Sequence, residues 1–291
     1  MEKGRILKWT FVAGVVLAAA AGLSRWYAQR AHVADNRAEL ARLGLPGDGT
    51  SDFMPLPAIL PHVAPAARLG GMLFSDRRLA QASRRTCSSC HWMNMGGSDG
   101  KLHGGQLTRP FVNAAAAKVF LHDGSLTNIT DAIARMITDG TYAGGGSLDT
   151  VVARLAEDKE LAATFARVYK PGLDATTLKD ALEQYARTQL SAGRPFDRYQ
   201  GGEAAALTDS AKHGFDLFRT RRCLACHAGP MMGGLGTHEG RKIPPLRGLG
   251  ARTRFLADGS AENLDVVLMR MPAGEMTPEE RMAFIAFLRA L

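Results

Sequence analysis

The stretch Cys87-Ser88-Ser89-Cys90-His91 recurs as Cys223-Leu224-Ala225-Cys226-His227. Two thiols three residues apart lie on the same side of a helical turn, where each can add to one vinyl group of a haem. The His that follows directly presents an imidazole nitrogen to the iron. A zinc site, a thioredoxin-like redox pair or a disulfide also uses paired cysteines, but zinc does not need a His directly after each pair. All 4 cysteines of the chain lie in these two motifs, which therefore predict two covalently bound haem c groups.

The first 30 residues have the pattern of an export segment, which haem attachment outside the cytoplasm requires. Lys3, Arg5 and Lys8 precede a charge-free run at 9–24, as in a positive n-region followed by an apolar h-region. The run is short for a membrane-spanning helix, which needs about 20 residues, and long for a cleaved signal. A signal peptide and an inner-membrane anchor both stay open, with the anchor slightly favoured. Both place the haem domains in the periplasm.

The net charge of +8 says little about partners. Residues 1–30 hold five Lys/Arg and one Glu and so account for half of it. Haem propionates would reduce the remainder further. We therefore expect no nucleic-acid partner.

The rest of the chain predicts a mainly α-helical fold with two domains, for which 291 residues are enough. An Ala/Pro-rich tether is expected at 31–65, followed by an N-terminal haem domain at 66–200 and a C-terminal one at 201–291. No strand pattern is convincing. Apolar periodicity and capping signals predict helices at 68–80, 127–137, 148–169, 176–190, 207–222 and 277–291.

The two halves repeat each other. Phe120-Leu-His-Asp-Gly-Ser matches Phe255-Leu-Ala-Asp-Gly-Ser at an offset of 135 residues. The same offset relates His103 to His238 and Arg135-Met136 to Arg270-Met271, while the cysteines differ by 136. A duplicated c-type cytochrome unit explains this similarity.

Over about residues 66–291 the sequence resembles the bacterial di-haem cytochrome c peroxidase family, which includes the MauG-like proteins. The motifs that carry the resemblance are Leu69-Gly-Gly-Met-Leu-Phe-Ser-Asp-Arg-Arg-Leu, Pro195-Phe-Asp-Arg-Tyr, Gly214-Phe-Asp-Leu-Phe, Cys226-His-Ala-Gly-Pro, Pro245-Leu-Arg, and Thr277-Pro-Glu-Glu through Phe284-Ile-Ala-Phe-Leu. The resemblance implies that hydrogen peroxide is reduced to water at the N-terminal haem. Electrons would enter at the C-terminal haem from a small cytochrome c, a cupredoxin, or quinol if the anchor is retained.

The resemblance also implies the iron ligands. His91 and His227 would be proximal ligands, and His103 stands where the family has the distal His that leaves the N-terminal haem on activation. Met271 stands at the Met ligand of the electron-entry haem, with Met269 and Met276 as alternates. Met/His ligation raises a haem's potential, which suits an entry site. In the first half Met136 competes with His103, although core packing is the more common role of a helical Met.

Several positions depart from the family's pattern. His122 stands in place of the Trp between the haems, and Ala132 and Tyr142 in place of the distal Gln and Glu that handle peroxide protons, with Asp139 as a possible substitute. Thr108 replaces a calcium-binding Asn, so calcium stays possible without its matching ligand. Because a positioned proton donor or acceptor contributes 10²–10⁴-fold, a non-catalytic di-haem electron carrier with two six-coordinate irons is the alternative. MauG-like oxidation of a protein is a third hypothesis, ranked last.

Basic side chains near the motifs are candidates for pairing with haem propionates. The pairs Arg84-Arg85 and Arg221-Arg222 precede the two motifs and could also dock an acidic donor, although such pairs more often mark a solvated face. Arg247 is a better candidate, either for a propionate or for a structural ion pair.

Overall fold

The computed structural model describes residues 55–80, 85–221 and 223–291. The predicted signal or anchor at 1–30, most of the tether at 31–65, and Arg84 and Arg222 lie outside these ranges. Within them, no helix is both long enough and apolar enough to cross a bilayer.

The chain is mainly α-helical, as the sequence predicts. Ten α-helices occur in the described ranges: α1 (Ala64–Phe74), α2 (Cys87–Cys90), α3 (Ile129–Thr138), α4 (Leu148–Ala156), α5 (Lys159–Val168), α6 (Ala175–Ala186), α7 (Pro195–Gln200), α8 (Asp209–Thr220), α9 (Leu264–Arg270) and α10 (Pro278–Ala290). Short 3₁₀ turns connect several of them, including Arg77–Leu79 after α1 and Cys223–Ala225 at the second motif.

Two helix crossings organise the cores. In the first half α1 packs along α6, and in the second half α8 packs along α10. Each crossing has a glycine where the backbones meet, because a Cβ at Gly70 would overlap the carbonyl of Ala181 and one at Gly214 would overlap that of Ala283. The first core includes Leu73, Phe165 and Leu178, and the second is rich in phenylalanine, with Phe196, Phe215, Phe218, Phe284 and Phe287.

The long helix predicted at 148–169 is two helices. Helix α4 ends at Ala156, and Asp158 begins α5 because its carboxylate accepts hydrogen bonds from the backbone N–H groups of Glu160 and Leu161, both at 3.0 Å. The first backbone N–H groups of a helix have no partner within the helix, and an N-cap side chain supplies the missing acceptor.

Two tiny hairpins were not expected from the sequence. Strand β1 (Leu102–His103) pairs with β2 (Gln106–Leu107), and β3 (Thr237–His238) pairs with β4 (Arg241–Lys242). Both turns have two residues with positive φ, Gly104-Gly105 and Glu239-Gly240. This geometry matches the right-handed twist of paired strands and explains the glycines. The hairpins are again 135 residues apart.

Several contacts between the halves come in pairs that the same offset interchanges. The N–H of Leu107 donates to the carbonyl of Ala257 at 2.8 Å, and the N–H of Lys242 donates to that of His122 at 3.1 Å. Likewise Leu102 lies against Gly259, and Thr237 lies against Gly124. Such reciprocal contacts are the pattern of a two-fold interface.

Candidate functional site

The first CxxCH motif forms a single helical turn, α2. The hydroxyl of Thr86 caps it by accepting the N–H of Ser89, and His91 follows as its last, non-helical residue. Burial raises the pKa of Cys87 to about 12. Both cysteines line one cavity, so the turn presents two thiols to a common space.

The His91 ring is oriented by its backbone neighbours. Nδ1 lies 2.9 Å from the carbonyl oxygen of Gly97, and because a carbonyl only accepts, Nδ1 carries the proton. Burial lowers the pKa of His91, which keeps the ring neutral. The unprotonated Nε2 is therefore available as a metal ligand, with the second-shell hydrogen bond that ligating histidines normally have.

A predominantly apolar cavity of about 210 Å³ adjoins this motif. Its lining includes Phe74, Arg85, Cys87, Cys90, His91, His103, Leu107, Thr108, Arg109, Phe111, Phe120, His122, Ala132, Ile133, Met136, Ile137, Tyr142, Leu182 and Lys242. Two thiols, a neutral imidazole and apolar walls fit a haem c group.

His103 lies on β1 beside the motif. Its Nε2 is 2.8 Å from the carboxylate of Asp99 and 3.8 Å from the Cys90 sulfur. Burial opposes ionisation of Asp99, but the His103 bond and the backbone N–H of Lys101 outweigh it and lower the pKa of the carboxyl. The three side chains lie within 4.8 Å of one another, close enough to share a metal ion. A thioether bond to haem would remove Cys90 from that set.

Two residues that the resemblance places at the family's acid–base positions also line the cavity. Ala132 on α3 is buried and offers no polar group, whereas Tyr142 does. Burial raises the pKa of Tyr142, so its phenol is protonated and can donate. Met136 lines the same space. Asp139 instead forms an ion pair with Arg135 at 2.9 Å at the end of α3.

His122 occupies the wall between the halves. Its carbonyl accepts from the guanidinium of Arg109 at 3.2 Å and from the Lys242 N–H, while its ring Nδ1 is buried without a hydrogen-bond partner. Burial, and then the charge of Arg109, lower the pKa of His122 to about 4. Its ring is neutral at physiological pH.

The second motif presents a similar donor set. Nδ1 of His227 is 3.2 Å from the carbonyl of Met232, which leaves Nε2 available, and burial lowers the pKa of this His too. Burial raises the pKa of Cys223, which packs on the second core. Met276 packs on that same core, whereas Met271 is half-buried just after α9 and Met269 is exposed.

Of the arginines that the sequence suggests as propionate partners, some form ion pairs within the protein and one lines the cavity. Arg247 forms a buried ion pair with Asp197 at 2.8 Å, and Arg221 pairs with Glu280 at 2.5 Å. Both are structural pairs. Arg85 lines the cavity. Sequence reasoning missed Arg109 and Lys242, the cavity-lining cations that the fold brings together from different halves.

The sequence profile described as "Di-haem cytochrome c peroxidase" matches residues 64–205. "Cytochrome c peroxidase Ccp" of Escherichia coli K12 is 28% identical over 81% of this chain, and "Cytochrome c551 peroxidase" of Nitrosomonas europaea is 27% identical over 82%. The chain belongs to the di-haem cytochrome c peroxidase family. It spans 60% of the E. coli relative and 83% of the N. europaea one.

The chain is also similar to proteins named MauG. "Methylamine utilization protein MauG" of Methylorubrum extorquens is 28% identical, with 82% of each chain covered. Membership in the di-haem peroxidase family implies an oxidoreductase with two haem c groups, and the two CxxCH motifs account for both.

Solved structures of di-haem peroxidase and MauG-like proteins share the fold. A "MauG-like protein associated with microbial copper homeostasis" superposes with a TM-score of 0.68 at 18% identity, covering 82% of this chain and 92% of that one. The "diheme peroxidase BthA" of Burkholderia thailandensis gives 0.65 at 15% identity, covering 82% and 87%.

Proposed function

We propose that the chain is a periplasmic di-haem oxidoreductase that reduces hydrogen peroxide to water at its N-terminal haem. Cys87, Cys90 and His91 would hold that haem, and electrons would enter at the haem held by Cys223, Cys226, His227 and Met271. The single observation that carries the proposal is the apolar cavity at the first motif, whose lining combines a free imidazole nitrogen with His103 and Tyr142.

The reciprocal contacts between the halves support two haem units derived by duplication, at 66–200 and 201–291. Hairpins, helix crossings and interface hydrogen bonds all recur in both halves. Helices α4 and α5 lie between α3 and α6, whereas α10 follows α9 directly in the second half.

Reduction of one peroxide to two waters consumes two electrons and two protons. The haem iron supplies the redox chemistry when it is bound. The chain's own contribution is proton supply and access: the Tyr142 phenol is a donor on the cavity wall, and the Asp99 carboxylate holds His103 by hydrogen bonding. Departure of His103 from the iron would open the distal side to peroxide.

The electron donor would be a small cytochrome c, a cupredoxin, or quinol if residues 1–30 stay in the membrane. Calcium stays possible, although Thr108 stands at the family's Asn position and its hydroxyl points to the Lys101 carbonyl. We expect no nucleic-acid partner.

The test is low-temperature EPR of the half-reduced holoprotein, with His103→Ala as the variant. A high-spin or exchangeable ferric signal at the N-terminal haem is expected, and the variant should make it permanent and raise peroxide access. His238→Ala is the matched control, because His238 occupies the equivalent hairpin position and is exposed. A haem that stays low-spin in both proteins and ignores peroxide would exclude the peroxidase.

A second candidate is a non-catalytic di-haem electron carrier. Ala132 on the cavity wall supports it, because the family's distal Gln position offers no proton-handling group there. Met136 on the same wall is a thioether within the cavity and could complete a six-coordinate iron. In that case Met136→Leu, rather than His103→Ala, would convert the low-spin signal to high-spin.

A further inference from the structure

Three cations meet where the two halves join at the N-terminal cavity. Arg109 comes from the first half, and Lys242 and Arg252 come from the second. Arg109 and Lys242 line the cavity together with His122 and also line a second, smaller void beside it. No carboxylate in the described part of the chain forms an ion pair with any of these three cations.

This arrangement is electrostatically unfavourable without an anion. Burial, and then the charge of Arg109, lower the pKa of Lys242 to about 7, and burial lowers the pKa of Arg109 and of Arg252 to about 10. In addition, Arg109 Nε and His122 Nδ1 are buried without hydrogen-bond partners. Buried polar groups normally have partners, so the unpartnered Arg109 Nε–H indicates a missing acceptor.

The cluster lies on the same cavity as the first haem motif. The first half contributes Cys87, Cys90 and His91 to the cavity lining. The second half contributes Lys242, from hairpin β3–β4. A haem c bound there brings two propionate carboxylates. Carboxylates are the natural partners of guanidinium and ammonium groups.

The cluster is not a general consequence of the duplication. At the offset of 135, the counterparts of Arg109, Lys242, Arg252 and His122 are Pro244, Leu107, Ala117 and Ala257. All four are uncharged. Only one of the two equivalent places at the interface has acquired cations, and it is the place that faces the cavity.

We propose that Arg109 and Lys242 bind the propionates of the N-terminal haem, with Arg252 behind them, so that the second half of the chain completes the first haem site. The proposal rests on haem attachment at the first motif, which is part of the proposed function. It assigns one of the two propionate-binding cations, Lys242, to a hairpin from the other half.

The test measures the reduction potential of the N-terminal haem in Lys242→Met holoprotein. EPR monitors the oxidation state of that haem during a redox titration. A nearby cation stabilises the reduced haem, which carries one positive charge less, so its removal shifts the potential negative. We expect at least a tenfold fall in the reduction equilibrium constant, which is 59 mV for one electron. Lys242→Arg, which keeps the charge, should stay near the parent value.

Arg241→Met is the matched control, because it removes one cation from the same strand at an exposed neighbouring position. The reduction equilibrium constant of this variant should change by much less than tenfold, because solvent screens the lost charge. Equal shifts in the two variants, or no shift in Lys242→Met, would overturn the proposal. Haem content is measured separately: a chain without haem at Cys87 and Cys90 contradicts the proposed function instead.

A titration with acetate or phosphate at constant ionic strength distinguishes propionates from a free anion. If propionates fill the cluster, neither anion changes the potential of the parent protein. A saturable shift that Lys242→Met abolishes would assign the cluster to an exchangeable small anion and exclude the propionate assignment.

Discussion

The Tyr142 phenol lies on the cavity wall, and burial raises its pKa, so that it stays protonated and can donate a hydrogen bond. Tyr142→Phe keeps the ring and removes only the donor. If the chain reduces peroxide, we expect kcat/KM for peroxide to fall by about 10²-fold, the lower end for general acid–base catalysis. Steady-state peroxide assays with a reduced cytochrome donor measure it.

Tyr199→Phe is a control for the chemistry of the change, since Tyr199 packs on the core of the other half. A Tyr142→Phe enzyme with unchanged kcat/KM would show that protons arrive by another route. The pH dependence of kcat/KM is a second check. Because burial raises the pKa of the Tyr142 phenol, this donor stays protonated throughout the neutral range and should add no titration step there.

At the residue scale, the sequence predicts which residues attach the haems, but not the charged side chains that the fold brings to the first cavity. CxxCH is a local pattern in which each residue has one chemical role. Arg109 and Lys242 carry no such pattern. They become neighbours only because the β4 backbone bonds to His122 across the interface.

The α1–α6 crossing depends on the absence of a side chain at Gly70. A Cβ there would overlap the Ala181 carbonyl, so Gly70→Ala forces the helices apart. Overpacking of this kind costs about 1–3 kcal/mol. Chemical denaturation of the holoprotein measures the free energy of unfolding.

Gly71→Ala in the same helix is the matched control. Its Cβ would meet only the Tyr185 ring, at 3.3 Å, and that ring can move. Alanine is the better helix former by about 1 kcal/mol, so this variant should be neutral or stabilising. Equal losses at both glycines would mean that the close approach of the helices is not what selects glycine at 70.

Asp174 begins α6 and links its stability to pH. Its carboxylate accepts the N–H groups of Thr176 and Thr177, both at 2.8 Å, and the Thr177 bond is the main cause of its lowered pKa. A lowered carboxyl pKa gives stability that is present above the usual value of 3.8 and is lost as pH falls through the folded-state value.

Two substitutions separate the cap from its charge. Asp174→Ala should lose about 1 kcal/mol at neutral pH, since Ala is a poor N-cap. Asp174→Asn keeps a capping oxygen and should stay close to the parent at neutral pH while losing this residue's share of the acid dependence. Thermal melts between pH 3 and pH 7 measure both. An Asn variant with the parent's full acid dependence would contradict the assignment.

The sequence predicts the helices that have clear capping signals, but neither the break inside a long apolar period nor the two-residue strands. Helix α10 has a full capping box between Thr277 and Glu280 and was located within one residue at each end. The helix at 148–169 was predicted without its break, because Asp158 lies inside a continuous apolar period. The two-residue strands contain too few positions for an alternating pattern, and only their Gly-containing turns marked them.

At the scale of the molecule, the buried pair Asp197–Arg247 connects three segments. One Asp197 oxygen accepts from the Leu56 N–H at 2.9 Å and from Arg247 at 2.8 Å, and the other accepts from the Arg194 N–H at 3.1 Å. Leu56 precedes the first half, Asp197 lies on α7 at the end of that half, and Arg247 lies in the second. We therefore expect the carboxylate to couple the folding of both halves.

Asp197→Ala removes the carboxylate that pairs with the buried Arg247 guanidinium, and breaking a buried ion pair costs about 3–5 kcal/mol. Because the lost contacts involve both halves, far-UV circular dichroism and haem absorbance should show the same lowered melting temperature in one transition. Glu203→Ala, which removes only the exposed pair with Arg198, should lose at most about 1 kcal/mol. If the two variants melted alike, the buried pair would not be what joins the halves. If the helical and haem signals separated in Asp197→Ala, the halves would be folding independently.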